Sequence, residues 1–189
     1  MDTINIIERL SSLIEGEKRK ELSEYGLQPV HLDILLYLKR CNRFSDSPLA
    51  IADYLNLTKG TVSQSIKNLT QKEFIYKTND AEDKRVVHLA LSMSGEEIVT
   101  QLWPPNNIAK ALDSLASDKH ESLQVGLVQL LKKCQQENSK KAFGQCKNCI
   151  HNLKQADHTI LCGLTKQTLS TDDIELICKE FSLNTITNQ

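Results

Sequence analysis

Residues 48–75, PLAIADYLNLTKGTVSQSIKNLTQKEFI, decide how this chain folds. Ser45-Asp46-Ser47-Pro48 offers capping side chains followed by proline at a first turn, a strong helix start. Leu49, Ile51, Ala52 and Leu55 fill that short helix, and Asn56-Leu57-Thr58 turns the chain. Thr58 then caps a second helix that reaches about Gln71. Along it Val62, Ile66 and Leu69 recur at helical spacing and face inward. Lys59, Thr61, Ser63, Gln64, Lys67 and Asn68 take the opposite face.

Beyond this helix the period changes from helical to alternating. Phe74-Ile75-Tyr76 and Val86–Leu91 are β-rich runs on either side of the polar stretch Asn79–Asp83, the signature of a hairpin. Helix, tight turn, helix and hairpin together predict a winged helix-turn-helix. In that arrangement the second helix of the pair enters the major groove of DNA and the hairpin tip reaches a neighbouring groove or the backbone. The outward face suits this: Lys59 and Lys67 can take phosphates, while Thr61, Ser63 and Gln64 can reach base edges. The whole chain has a net charge of −1 and no global pull towards nucleic acid. Between residues 58 and 90, however, six basic groups stand against four acidic ones, a local balance of +2.

Working outward, Ile6, Ile7, Leu10, Leu13 and Ile14 mark an amphipathic helix over 3–22 that Gly26 breaks. A helix over about 29–41 carries His31, Ile34, Leu35 and Leu38 on one stripe. Ser92 or Ser94 starts another, which Pro104-Pro105 ends after Trp103, and Ala109–Leu115 and Glu121–Gln135 are amphipathic again. Leu123, Val125, Leu127, Val128, Leu130 and Leu131 are too many for one face of a monomer, so these outer helices predict a homodimer. A polar, basic linker over 136–141 separates this part from the tail. No stretch has the length or apolarity of a membrane span, and the N-terminus lacks the pattern of a secretory signal. The expected setting is therefore the cytoplasm, with no membrane partner. Cysteines there are ligands, redox groups or core residues before they are disulfides.

The stretch quoted above, followed by NDAEDKRVVHLALSMSGEEI at 79–98, resembles the MarR family of bacterial transcription regulators. The wing pattern D-x-R falls on Asp83 and Arg85, with Lys84 between them, and SMSGEEI fits the step from the second wing strand into the next helix. The resemblance spans residues 1 to about 137. It implies a homodimer on a pseudo-palindromic double-stranded DNA operator, usually repressing, with Arg85 entering the minor groove and Asp83 orienting it. A guanidinium suits a narrow minor groove, and a neighbouring carboxylate restricts its rotamers.

Four cysteines remain in the tail: Cys146, Cys149, Cys162 and Cys178, spaced C-x2-C-x12-C-x15-C. The segment is too short to bury a core of its own, and thiolates converging on a metal supply folding free energy that a small core cannot. Ser170–Asp173 caps a short helix with Ile174, Ile177, Cys178 and Phe181 on one face, turning Cys178 inward. Structural zinc commonly uses two CxxC pairs, whereas single, widely spaced third and fourth cysteines occur in many iron–sulfur sites. FGQCKNC, CGLTKQTLS and ICKEF also resemble the cysteine-rich tail of a subset of MarR-like proteins, which implies an iron–sulfur cluster. Zinc, disulfides and free thiols stay open as alternatives, and His151 or His158 could replace one cysteine ligand. Cys41 and Cys134 lie on helical apolar faces and are expected in the core.

The expected fold is thus mainly α with a small β-hairpin wing: a winged helix-turn-helix dimer over 1–137 and a small metal-binding segment over 142–189. The expected function is DNA-binding regulation, with a cluster that senses redox state, oxygen or iron. The alternative is the same regulator with a structural zinc and a small-molecule signal. An enzyme is not expected, because the chain has no phosphate-binding glycine loop, no nucleophile elbow and no HExxH.

Overall fold

A computed structural model describes residues 2–81, 83–137 and 142–182. In chain order the helices and strands are α1 (Thr3–Leu22), α2 (Pro29–Arg40), α3 (Pro48–Leu55), α4 (Lys59–Gln71), β1 (Ile75–Asn79), β2 (Val87–Leu91), α5 (Met93–Leu102), α6 (Asn106–Asp113) and α7 (Ser117–Glu137). The cysteine segment adds β3 (Gly144–Gln145), β4 (Asn152–Lys154), β5 (Ile160–Cys162), β6 (Thr168–Leu169), α8 (Thr171–Glu175) and β7 (Ile177–Cys178). Of the expected linker, residues 138–141 lie outside the described residues.

The caps fall where side-chain oxygens meet free amides at helix starts. Ser47 accepts from the Ala50 amide with Pro48 at the first position of α3. Thr58 accepts from the Thr61 amide at 3.1 Å to start α4. Between them Asn56 takes a left-handed conformation (φ 54°) that ends α3. Ser92, not Ser94, caps α5, accepting from the Gly95 amide at 3.1 Å. Val62, Ile66 and Leu69 of α4 are buried, against a core that includes Leu32, Leu35 and Tyr37 of α2, Ile51 of α3, Leu89 of β2 and Ile98 of α5. Lys18 is buried too. Its ammonium bonds Glu15 at 2.8 Å and Asp33 at 2.6 Å and lies 5.5 Å from the Trp103 ring centroid, tying α1 to α2 and to the end of α5.

The hairpin is antiparallel, with Ile75 opposite Leu91 and Asn79 opposite Val87. Its first strand therefore runs three residues past the expected Tyr76, because the polar Lys77, Thr78 and Asn79 keep their backbone pairing on an exposed ribbon. The helices that carry the surplus of apolar residues leave them uncovered: Ile6, Leu10 and Leu13 on α1, and Leu123, Leu127, Leu130 and Leu131 on α7 are all exposed. Cys134 is exposed as well, not in the core as its periodicity suggested. The apolar face of α7 is wider than the surface beneath it can cover.

The cysteine segment is built of strands more than of helix. β3 pairs with β7 and β4-β5-β6 form a small antiparallel sheet. Cys178 sits on β7, not on the face of a helix, because α8 ends at Glu175. Its inward direction holds, since Cys178 and Phe181 join Cys146 and Leu169 in a cluster that also takes in Phe44 from the α2–α3 loop. Gly144 admits this packing: a Cβ there would come within 2.8 Å of the Phe181 ring.

Candidate DNA interface and cysteine centre

α4 presents Lys59, Thr61, Ser63, Gln64 and Lys67 to solvent, and Asn68 is half-buried beside them. At the hairpin tip Arg85 is 90% exposed, yet its guanidinium is fixed by two parallel bonds to one carboxylate. Nε lies 2.9 Å from Asp83 Oδ1 and Nη2 lies 2.8 Å from Asp83 Oδ2. The Arg85 side chain, and then its backbone amide, hold the Asp83 carboxyl below its ordinary value. The Asp83 amide in turn donates to Asp80 Oδ1 at 2.8 Å. Lys84 is exposed next to this pair. The wing thus carries a cation at its tip whose direction is set before any contact.

At the base of the wing, His88 of β2 stands between two carboxylates. Its Nδ1 is 2.7 Å from Asp46 Oδ1 and its Nε2 is 3.2 Å from Asp80 Oδ2. The bond to Asp46 is the largest cause of a His88 value above the usual histidine range. Asp46 is also raised, because its burial outweighs what His88 gives back. Neither Asp46 nor His88 stood out in the sequence. They are 42 residues apart, and no local spacing joins them.

The four tail cysteines come together. Cys146, Cys149, Cys162 and Cys178 line a single small cavity with Asn42, Phe44 and His151, while His158 lies on an exposed turn away from it. Each sulfur has a donor close by. Asn152 Nδ2 lies 3.9 Å from Cys146 Sγ, and the Ser182 amide donates to Cys149 Sγ at 3.4 Å. Burial opposes ionisation of Cys162, but the Thr165 hydroxyl, the amides of Thr165 and Leu164, and Lys166 together draw it below the ordinary thiol value. Burial raises Cys178, against the Glu180 amide, Asn42 and Ser45, which favour its thiolate. Burial pushes Cys146 to about 11. The contrast is Cys41, a core thiol that burial pushes to about 12 and that bonds the Leu38 carbonyl. Donors aimed at sulfur are what a site for metal-bound thiolates requires. Among the described residues no three His, Cys, Asp or Glu side chains are grouped tightly enough to hold one metal ion.

This segment does not hang beside α7 alone. It docks on the α2–α3 loop: the Asn42 amide donates to the Ile177 carbonyl at 2.9 Å and the Lys179 amide to Ser45 Oγ at 2.9 Å. Arg43 bonds the Thr168 carbonyl at 2.7 Å and lies 3.6 Å from the Asp173 carboxylate. Phe143 packs edge-on against Tyr37 and Tyr54.

Comparison with known proteins fits the geometry of the first part of the chain. The fold is a winged helix. Residues 25–86 match the family model described as MarR family. Over 137 residues, 70% of this chain and 84% of the relative, the sequence is 26% identical to YkoM of Bacillus subtilis (strain 168), an uncharacterised HTH-type transcriptional regulator. S. aureus MepR in its DNA-binding conformation shares the fold with a TM-score of 0.61, at 23% identity over 71% of this chain and 99% of that one. Reduced MarR from E. coli gives 0.57 at 18% identity, over 69% and 97%. The regulator description of the curated relative agrees with the expectation that this chain is not an enzyme. No helix among the described residues is long and apolar enough to cross a membrane.

Proposed function

We propose that this chain is a MarR-type DNA-binding transcription regulator. It acts as a homodimer on a pseudo-palindromic operator, and its four tail cysteines hold an iron–sulfur cluster. The observation that carries the DNA-binding reading is the wing tip, where Asp83 fixes an otherwise exposed Arg85 beside the polar outer face of α4. α4 supplies major-groove contacts through Thr61, Ser63 and Gln64, and phosphate contacts through Lys59 and Lys67. The uncovered apolar faces of α1 and α7 support a second copy as the partner that buries them.

The cluster reading rests on four sulfurs lining one cavity, Cys146 and Cys149 from one turn and Cys162 and Cys178 from two strands, each with a donor beside it. The donor set, four thiols with hydrogen-bond donors beside them, is that of an iron–sulfur site, and a structural zinc on the same sulfurs is the alternative. Bound there, an iron–sulfur cluster supplies a redox-active, oxygen-labile centre, which makes redox state, oxygen or iron supply the expected signal. Protein purified without oxygen should be brown and contain iron and acid-labile sulfide in comparable amounts. Colourless protein with one zinc per chain would replace the cluster by a structural zinc.

A further inference from the structure

Asn42 is 1% exposed, yet its side-chain Nδ2 has no hydrogen-bond partner of ordinary geometry among the described residues. Its orientation is fixed from the other end. Oδ1 accepts from Ser45 Oγ at 2.8 Å and from the Phe44 amide at 3.2 Å, which leaves the NH2 group turned to the cavity that the cysteines line. There it lies beside Cys178, close enough to favour that residue's thiolate. A buried amide donor without an acceptor is destabilising, so a position like this one calls for an acceptor in the cavity.

The same loop reaches the wing. Ser45 is fully buried; its carbonyl accepts from Tyr37 Oη at 2.8 Å and its Oγ from the Lys179 amide beside Cys178. The next residue, Asp46, takes the Leu89 amide of β2 on its carbonyl at 2.9 Å and His88 on its carboxylate. From His88 the contacts continue through Asp80 and Asp83 to Arg85. Five residues of loop therefore connect the cysteine cavity to the base of the DNA-contacting hairpin.

We propose that the α2–α3 loop, residues 42–46, is the element through which the cysteine centre acts on the wing. Asn42 donates to the centre's sulfur at one end, and Asp46 holds His88 at the other. This rests on the reading of the four cysteines as a cluster site. Adding or removing a centre on Cys178 changes the charge on the sulfur beside Asn42, and the loop's position relative to β2 changes with it. The coupling reaches the wing within one protomer, independent of the spacing between the two DNA-reading heads.

The test uses full-length wild type, Asn42→Ala and His88→Gln, each purified without oxygen and compared in loaded and chelator-stripped form. Affinity is measured for one duplex, selected from a random pool with the wild-type protein, at one salt concentration. Iron, sulfide and reduction potential are measured on the same samples. In wild type the loaded and stripped forms should differ by about fivefold or more. His88→Gln should keep wild-type iron, sulfide and potential while that ratio falls to about one. Asn42→Ala keeps all four cysteines, so it should retain iron while its potential falls, because a lost donor no longer offsets the added charge of the reduced centre. A wild-type affinity ratio in His88→Gln overturns the link to the wing, and an unchanged potential in a folded Asn42→Ala overturns the donor role. His88 is partly exposed, so its variant keeps the test decisive even where Asn42→Ala does not fold. Wild-type protein with neither iron nor sulfide overturns the cluster reading itself, a result distinct from the other two.

Discussion

Replacing Gly95 by alanine should cost the fold about 2–4 kcal/mol. A Cβ at Gly95 would stand 2.1 Å from the Phe74 carbonyl oxygen and 3.1 Å from its carbon. Both are backbone atoms, so no side chain can swing aside. The shift falls on a junction where the Ser92 amide donates to that same Phe74 oxygen at 3.0 Å, Ser92 Oγ bonds the Glu73 carbonyl at 2.6 Å, and Ser92 caps α5. Overpacking costs roughly 1–3 kcal/mol, and a lost cap or hydrogen bond about 1 kcal/mol each. Helix propensity returns about 1 kcal/mol when glycine becomes alanine. Gly16 provides the control: it lies on α1 with nothing within 4 Å of an added Cβ, so Gly16→Ala should stabilise by up to about 1 kcal/mol. Urea unfolding followed by Trp103, the sole tryptophan and the residue after α5, reads both variants at the relevant place. A Gly95→Ala midpoint equal to wild type would refute the steric argument, and with it the account of how the wing is anchored to α5.

Other outcomes follow from the same structure. Arg85→Ala should weaken operator binding by about 1–3 kcal/mol, whereas Lys67→Ala should weaken binding to all sequences alike and lower the salt slope by about one; gel-shift titrations over a salt series separate the two. Serine at Cys146, Cys149, Cys162 or Cys178 should abolish iron and sulfide retention, while Cys41→Ser and Cys134→Ser should retain both, as read by metal analysis. For pH, His88 sits above its ordinary 6.5, chiefly through the bond to Asp46. Its stabilisation is therefore fully present below about pH 6.5 and is lost as pH rises through the raised value. Asp46 is raised by burial, so its own contribution falls away in a separate window, as pH rises from 3.8 through its raised value. Unfolding midpoints across neutral pH should decline in wild type and flatten in His88→Gln.

The parts of this molecule that were legible in the sequence are those fixed by neighbours along the chain. Thr58 caps α4 through Thr61, three residues on, and Val62, Ile66 and Leu69 repeat within one helix. Asp83 and Arg85 pair two residues apart, so the wing tip could be located from the sequence. The hairpin's first strand runs further than its β-rich residues suggest, because its outer half is polar and draws its support from backbone pairing with β2. Most opaque was the seat of the cysteine segment. The bond between Lys179 and Ser45 spans 134 residues, and the bond between Arg43 and Thr168 spans 125. Neither Asn42 nor Ser45 has a local pattern marking it as part of a site. Cys178 does point inward, but from a two-residue strand paired with Gly144 and Gln145, where the sequence pattern suggests a helix face. Cys134 is exposed where its periodicity suggests burial, because an amphipathic helix with an oversized apolar face looks buried in sequence whether its partner is its own core or a second copy.

The central claim joins a DNA-reading head to a cysteine centre that controls it. Its most direct test is to titrate one selected duplex, at one salt concentration, with cluster-loaded protein, stripped protein and a Cys149→Ser variant, all as dimers. The account predicts that the loaded protein differs from the other two by about fivefold or more, and that those two agree with each other. Equal affinity in all three would contradict it, leaving the cysteine centre as a structural staple on the α2–α3 loop.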